Sequence, residues 1–194
     1  MKTIRSICVF CGSKTGADPA HEETAKRLGA LMAERGIGLV YGGGCIGLMG
    51  IIADAVAGGG GTVTGVIPEF LMKLDVGNSE VGELIVTDSM HSRKQRMFEL
   101  SDAMVALPGG LGTLDETFEI ITWKQLQQHT KPIVLINVSG YWDPFAALVG
   151  ATIVGGFAHP KIRDLYTMVG DADAVFAALA AAPEPDVEVL TSHL

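Results

Sequence analysis

Two glycine-rich turns and one basic cluster hold the residues of this chain that could do chemistry. The first turn is Pro108-Gly109-Gly110-Leu111-Gly112-Thr113-Leu114-Asp115-Glu116. Gly109, Gly110 and Gly112 leave backbone N–H groups free to wrap an anion, and a following helix would point its positive end at the same spot. Thr113 offers a hydroxyl donor there. Glu116 has two readings: Thr113-x-x-Glu116 is the spacing of a capping box, which only closes a helix start, and it is equally a carboxylate held beside an anion site. The segment Met90-His91-Ser92-Arg93-Lys94-Gln95-Arg96 tips the balance towards function, because it gathers three of only 14 basic residues in an acidic protein. A solvated helix face accounts for Arg96 but makes the clustering a coincidence. The second turn contains Gly42-x-Gly44-x-x-Gly47, formally the dinucleotide fingerprint, with Glu69 about 20 residues on where a ribose-binding acid belongs. It follows a second strand rather than a first, and tight helix–strand packing explains its glycines as well. There is no Gly-Lys-Ser/Thr, so a P-loop is excluded.

The elements that must position these residues are legible from periodicity. Apolar β-branched runs at Ile4–Cys11, Ile37–Tyr41, Thr62–Ile67 (broken by Pro68), Glu83–Thr87, Ala103–Leu107, Ile133–Val138 and Leu165–Val169 read as strands. Between them Pro19–Arg35, a helix through about Ala57, Met90–Leu100, Thr113–Gln128, Asp143–Val154 and Asp171–Ala181 read as helices, the last with Asp171 as N-cap. Continuous apolar strands alternating with helices imply an α/β fold, a single doubly wound Rossmann-like domain over 1–182 with a mostly parallel central sheet, and a loosely held tail over 183–194. Ligands of such sheets bind beyond the carboxyl ends of the strands, where both glycine turns lie.

Composition narrows the function. With 48% hydrophobic and 19% charged residues the chain can bury a large core, which excludes disorder as the main state. Glycine, 25 of 194 residues, is nearly double the usual ~7%. A formal net charge of −8 argues against a nucleic-acid or anionic-membrane partner. The N-terminus runs straight into a strand without a signal-peptide pattern, and the uncharged stretch 36–53 is interrupted by glycines. Cys8, Cys11 and Cys45 cannot form a closed disulfide set, and Cys8-x-x-Cys11 inside a strand places its thiols on opposite faces. Buried thiols point to the cytoplasm. The five histidines are scattered without ligand spacing, so neither metal nor cofactor is expected.

GGGxxGLMG at Gly42–Gly50, the MHxRK-like stretch Met90–Lys94 and PGGxGTxxE at Pro108–Glu116 together resemble the LONELY GUY (LOG) family. These are cytokinin riboside 5′-monophosphate phosphoribohydrolases, some of which carry a lysine decarboxylase label, and close relatives cleave AMP and other purine monophosphates. The resemblance runs from about Ile4 to Val138. It implies Arg93 and Glu116 as the catalytic pair, with Gly110, Gly112 and Thr113 holding the 5′-phosphate and Lys94 and Thr122 nearby. It further implies Gly12, Ser13, Gly43, Met90, Gly109 and Leu111 as ligand-lining positions. Where many members carry a glutamate, this chain offers Asp75, with Glu80 and Glu83 as other candidates. A homodimer with its site near the subunit contact is also implied, and Phe70, Leu71, Met72, Met90, Met97 and Phe98 supply apolar material beside the basic motif.

The chemistry of the residues agrees. Breaking an N-glycosidic bond builds positive charge on the ribose, and an ionised carboxylate near C1′ could orient water, stabilise that cation or attack it. On the first turn of a helix Glu116 would be kept ionised by the helix dipole. Arg93 cannot release a proton, so it acts by charge and fixed geometry. No residue stands out as the acid that protonates the leaving base. Two other classes fit less of the pattern: a pyridoxal-phosphate lysine decarboxylase, needing Lys14 or Lys94 for a Schiff base, and a non-catalytic nucleotide-binding module using the Gly42 turn.

Overall fold

A computed structural model describes residues 3–73 and 81–183. Seven strands form one sheet in the order β4-β3-β2-β1-β5-β6-β7, every neighbouring pair parallel. They are β1 (Ser6–Phe10), β2 (Gly38–Tyr41), β3 (Val63–Pro68), β4 (Glu83–Thr87), β5 (Ala103–Ala106), β6 (Ile133–Ile136) and β7 (Thr167–Val169). The helices are α1 (Ala20–Glu34), α2 (Gly47–Gly58), the single turn α3 (Glu69–Met72), α4 (Met90–Glu99), α5 (Leu111–Gln125), α6 (Asp143–Val154) and α7 (Val175–Ala181). This is the doubly wound arrangement that the alternating pattern predicts.

The period of two along each strand divides the core. Ile7, Val9 and Cys11 face a layer made by α1, α2 and α7, while Cys8 and Phe10 face α4, α5 and α6. The two cysteines therefore point to opposite sides, and both are buried free thiols whose proton affinity burial pushes up. The strand order reverses between β1 and β5, whose register pairs Phe10 with Ala106. Just beyond that pair Leu107 N–H donates to Phe10 O (2.9 Å) and Gly12 N–H to Pro108 O (3.0 Å). The loops after β1 and β5 are thus laced together at the switch point, where such sheets open a crevice.

Several boundaries differ from the pattern. Pro68 still pairs with Thr87 and ends β3 rather than breaking it earlier. Residues 160–165 form a 3-10 turn, so β7 is shorter than the apolar run suggests. Asp171 accepts from Ala174 N–H (2.9 Å) in a turn, and α7 starts only at Val175. Of the tail read from residue 183, only Pro183 lies among the described residues. No helix of the described residues is long and apolar enough to cross a membrane.

Candidate active site

The turn after β5 delivers a helix start. Gly110 is the N-cap of α5, with extended backbone, and the first intrahelical bond runs from Leu114 N–H to Gly110 O (3.1 Å). The N–H groups of Leu111, Gly112 and Thr113 therefore have no acceptor within the helix, and no acidic residue stands in its first turn. A Cβ built on Gly110 or Gly112 meets nothing within 4 Å, so both positions look onto open space. Gly109 differs: its Cβ would lie 2.1 Å from Thr113 Oγ1 and 2.8 Å from Gly12 N. Its missing side chain makes room for protein. Because α5 starts two residues earlier than the pattern suggests, Thr113 is the third helical residue and Glu116 sits on the second turn. A capping box is geometrically excluded there, and with it the expectation that the helix start alone fixes the charge of Glu116.

Glu116 meets Arg93 across the cleft. Ser89 and Ser92 close the start of α4 with a reciprocal capping box, which turns Arg93 onto the buried face. Arg93 and Glu116 are 8% and 7% exposed, an uncommon burial for both types. The guanidinium uses all three nitrogens: Nε donates to Val66 O (3.0 Å), Nη1 to Glu116 Oε1 (3.3 Å) and Nη2 to Gly42 O (3.4 Å). Burial pushes the Glu116 carboxyl up to about 7, against the opposing pull of Arg93. Desolvation is the largest influence on its proton affinity and outweighs the arginine beside it. Such a group, poised near neutrality, suits proton transfer. Glu116 Oε2 has no protein donor among the described residues.

The pair faces a cavity of about 280 Å³ lined also by Ser13, Met49, Leu71, Met97, Gly110, Leu111, Gly112 and Thr113. A second cavity of about 420 Å³ adjoins it, sharing Ser13 and Gly110 and adding Gly12, Lys14, His21, Gly109 and Tyr141. A larger one, about 570 Å³, lies at the opposite end of the sheet around Ile4, Asp102, Pro132 and Phe176, away from this chemistry. The remaining sequence-derived positions fall elsewhere. Lys94 is held by Asp115 (3.1 Å) and Glu119 (3.0 Å); burial lowers its proton affinity, but these two carboxylates outweigh that and raise it. Thr122 is exposed and donates to Phe118 O (2.8 Å), about 13 Å along α5 from Thr113 at the usual rise. Met90, 38% exposed, opens α4 outside both cavities, and Gly43 turns the chain with φ +74° against Leu84 and Ile67. Asp75 and Glu80 lie outside the described residues, and Glu83 starts β4. Nothing in the sequence points to Val66 O or Met49 at the site, and its pattern assigns Gly42 to a glycine turn and Leu71 to the subunit contact rather than to the Arg93–Glu116 cavity. A carbonyl that receives an arginine leaves no mark on the sequence.

A family model described as "Possible lysine decarboxylase" matches residues 49–179. The rice protein named "Probable cytokinin riboside 5′-monophosphate phosphoribohydrolase LOGL9" is 47% identical over 172 residues, covering 89% of this chain and 76% of its own length. The Arabidopsis thaliana protein named "Cytokinin riboside 5′-monophosphate phosphoribohydrolase LOG7" is 42% identical over 191 residues, 98% of this chain and 88% of its own. The chain belongs to the LOG family. Among solved structures, the molybdenum cofactor binding protein of Rippkaea orientalis superposes with a TM-score of 0.69 at 22% identity, covering 93% of this chain and 98% of that one. That likeness shows the fold alone.

In this LOG family member the Gly42 turn is not an open phosphate cradle. A Cβ on Gly44 would lie 2.7 Å from Met49 Cε, one on Gly47 2.3 Å from Ser13 C, and one on Gly50 2.3 Å from Cys45 O. Protein fills each place. Gly42 also lines the Arg93–Glu116 cavity, but only the turn opening α5 has glycines, Gly110 and Gly112, with open space where a Cβ would stand.

Proposed function

We propose that this LOG family member hydrolyses the N-glycosidic bond of a cytokinin riboside 5′-monophosphate, or of an AMP-like purine nucleotide, to the free base and ribose 5-phosphate. The observation that carries the proposal is the buried Arg93–Glu116 pair opening onto the same cavity as the unbonded N–H groups of Leu111, Gly112 and Thr113. Those donors suit a 5′-phosphate. They would fix the ribose so that C1′ lies by Glu116. As the C1′–N bond breaks, its electron pair leaves with the base and the positive charge on the sugar faces the carboxylate. Water adds to C1′, and its proton is released as the base takes one up. An ionised Glu116 stabilises the cation and can receive the proton of the attacking water; its affinity near 7 suits both roles. Arg93 holds Glu116 in place and keeps part of its population charged.

The pair at the cavity favours hydrolysis over the lysine decarboxylase label. No lysine lines the Arg93–Glu116 cavity among the described residues, and Lys94 is spanned by two carboxylates. A homodimer is supported by Phe70, Met72, Met90 and Leu111, apolar side chains 50%, 40%, 38% and 85% exposed, whereas Met97 and Phe98 are taken up by the core of one chain. Buried free thiols support a cytoplasmic location. The test is incubation with isopentenyladenosine 5′-monophosphate and with AMP, followed by separation of products. Free base with ribose 5-phosphate is expected; release of riboside and inorganic phosphate instead would overturn the assignment.

A further inference from the structure

The glycine at position 42 lies against the Arg93 guanidinium. A Cβ placed there would stand 2.0 Å from Arg93 Nη2 and 3.2 Å from Arg93 Cζ, with Met49 Sδ at 3.2 Å as the other near neighbour. The backbone of Gly42 is not left-handed, so conformational freedom does not explain the residue. Its carbonyl accepts from the same Nη2 (3.4 Å), while Val66 O, two residues before the end of β3, accepts from Nε (3.0 Å). Two carbonyls near the carboxyl ends of adjacent strands thus form a slot for a planar fork, and the third side of the fork reaches Glu116.

We propose that Gly42 is a positioning residue: with the Val66 carbonyl it forms the slot that holds the Arg93 guanidinium against Glu116. The inference rests on reading Arg93 and Glu116 as the reacting pair. An arginine tip is the flexible end of a long side chain, so a methyl at position 42 displaces it rather than disrupting the sheet. The fork then leaves Glu116, and the carboxylate loses both its alignment and its counter-charge. Gly42, which lines the same cavity, accordingly acts through Arg93.

The experiment is a cycle of Gly42→Ala, Arg93→Ala and the double variant, with kcat and KM measured on AMP or isopentenyladenosine 5′-monophosphate. Gly42→Ala is expected to lower kcat about 100-fold, the scale of losing one aligned polar group, with KM changed less than about threefold. In the Arg93→Ala background it should cost nothing further. Guanidinium chloride at tens of millimolar should partly restore Arg93→Ala but not the double variant, whose slot is occupied by the methyl. A readout independent of turnover is the carboxyl titration of Glu116 by ¹³C NMR, which should move upward in Gly42→Ala even if the wild type releases no base. Equal rescue of both variants, a Gly42→Ala enzyme with more than half the wild-type kcat, or an unmoved Glu116 titration would overturn the proposal. Should Gly42→Ala lose its fold, a double variant that regains it places the clash at Arg93 and supports the slot; one that stays unfolded refutes it.

Discussion

Replacing single glycines of the α5 turn separates a ligand-facing position from a packing one. Leu111, Gly112 and Thr113 offer three N–H groups with no acceptor in the helix. Charge-assisted hydrogen bonds are worth roughly 1.5–3 kcal/mol each when buried. Losing two of them costs about 3 kcal/mol or more, at least a hundredfold in kcat/KM. A riboside without its phosphate is therefore expected to be hydrolysed at least ~100-fold less efficiently than the monophosphate. A 3′-phosphate should not substitute. Gly110→Ala puts a methyl into space where nothing lies within 4 Å, at a backbone φ of −92° that alanine accepts. It should lower kcat/KM for the monophosphate, leave the slow riboside rate nearly unchanged and hold Tm. Gly109→Ala should do the reverse in stability, since its methyl would fall 2.1 Å from Thr113 Oγ1. Parallel kcat/KM and thermal-melt measurements on both variants decide the matter. Similar kcat/KM for riboside and monophosphate would refute the cradle and leave these glycines to the turn alone.

Glu116→Gln preserves shape but removes charge, and kcat should fall at least ~100-fold, about 2.7 kcal/mol of barrier; full activity per folded molecule would refute the role. Because the ionised form is the active one and burial pushes the group to about 7, kcat/KM should fall as pH drops through about 7, and a profile flat down to pH 5.5 would count against it. Lys124, 1% exposed and without an ion-pair partner among the described residues, is lowered by burial from an ordinary 10.5 to about 8. Between those values the unfolded chain still holds a proton that the folded chain has released. Stability therefore rises with pH across that window, and the penalty, roughly 3 kcal/mol, is complete below about 8. Lys124→Met should accordingly raise Tm at pH 7, and an unchanged or lower Tm would mean the ammonium is satisfied. Light scattering at micromolar concentration should give a dimer; a stable, fully active monomer would remove the proposed subunit contact.

How far the sequence reached depended on which groups carry the information. Side-chain periodicity carries the sheet, and every strand and every helix of ten or more residues lies where the alternation of apolar runs places it. Hydrogen bonds between loops carry the boundaries, as at Asp171, whose carboxylate holds a turn one step before the helix. The same division holds at the site. Arg93 and Glu116 stand out by type and motif, 23 residues apart in the chain and 3.3 Å apart in space. The two carbonyls that align Arg93 could not be read, because any residue supplies a carbonyl. Lys94 shows the converse, since its motif position is legible but its partners Asp115 and Glu119 come from another helix.

Those partners leave Arg93 as the only cationic side chain lining the smaller cavity among the described residues, and Arg93 is already spent on Glu116. A phosphate at the start of α5 is then met by backbone N–H groups and the helix dipole, with Lys14 the one lysine lining the adjoining cavity that shares Gly110. Glu116 lies six residues beyond the N-cap, about 9 Å along the axis. A dianion at that distance repels the carboxylate by about 0.9 kcal/mol even at the dielectric of water, which raises its proton affinity further by about 0.7 pH unit or more. The acid limb of kcat, which reports the enzyme–substrate complex, should therefore lie higher in pH than that of kcat/KM, which reports the free enzyme. With the riboside, which lacks the dianion, the two limbs should coincide. Profiles of both parameters on both substrates make the comparison. If the monophosphate gives coincident limbs, either the phosphate sits away from the α5 start or a cation such as Lys14 of the adjoining cavity screens it, and the proposed division of labour between helix and arginine fails.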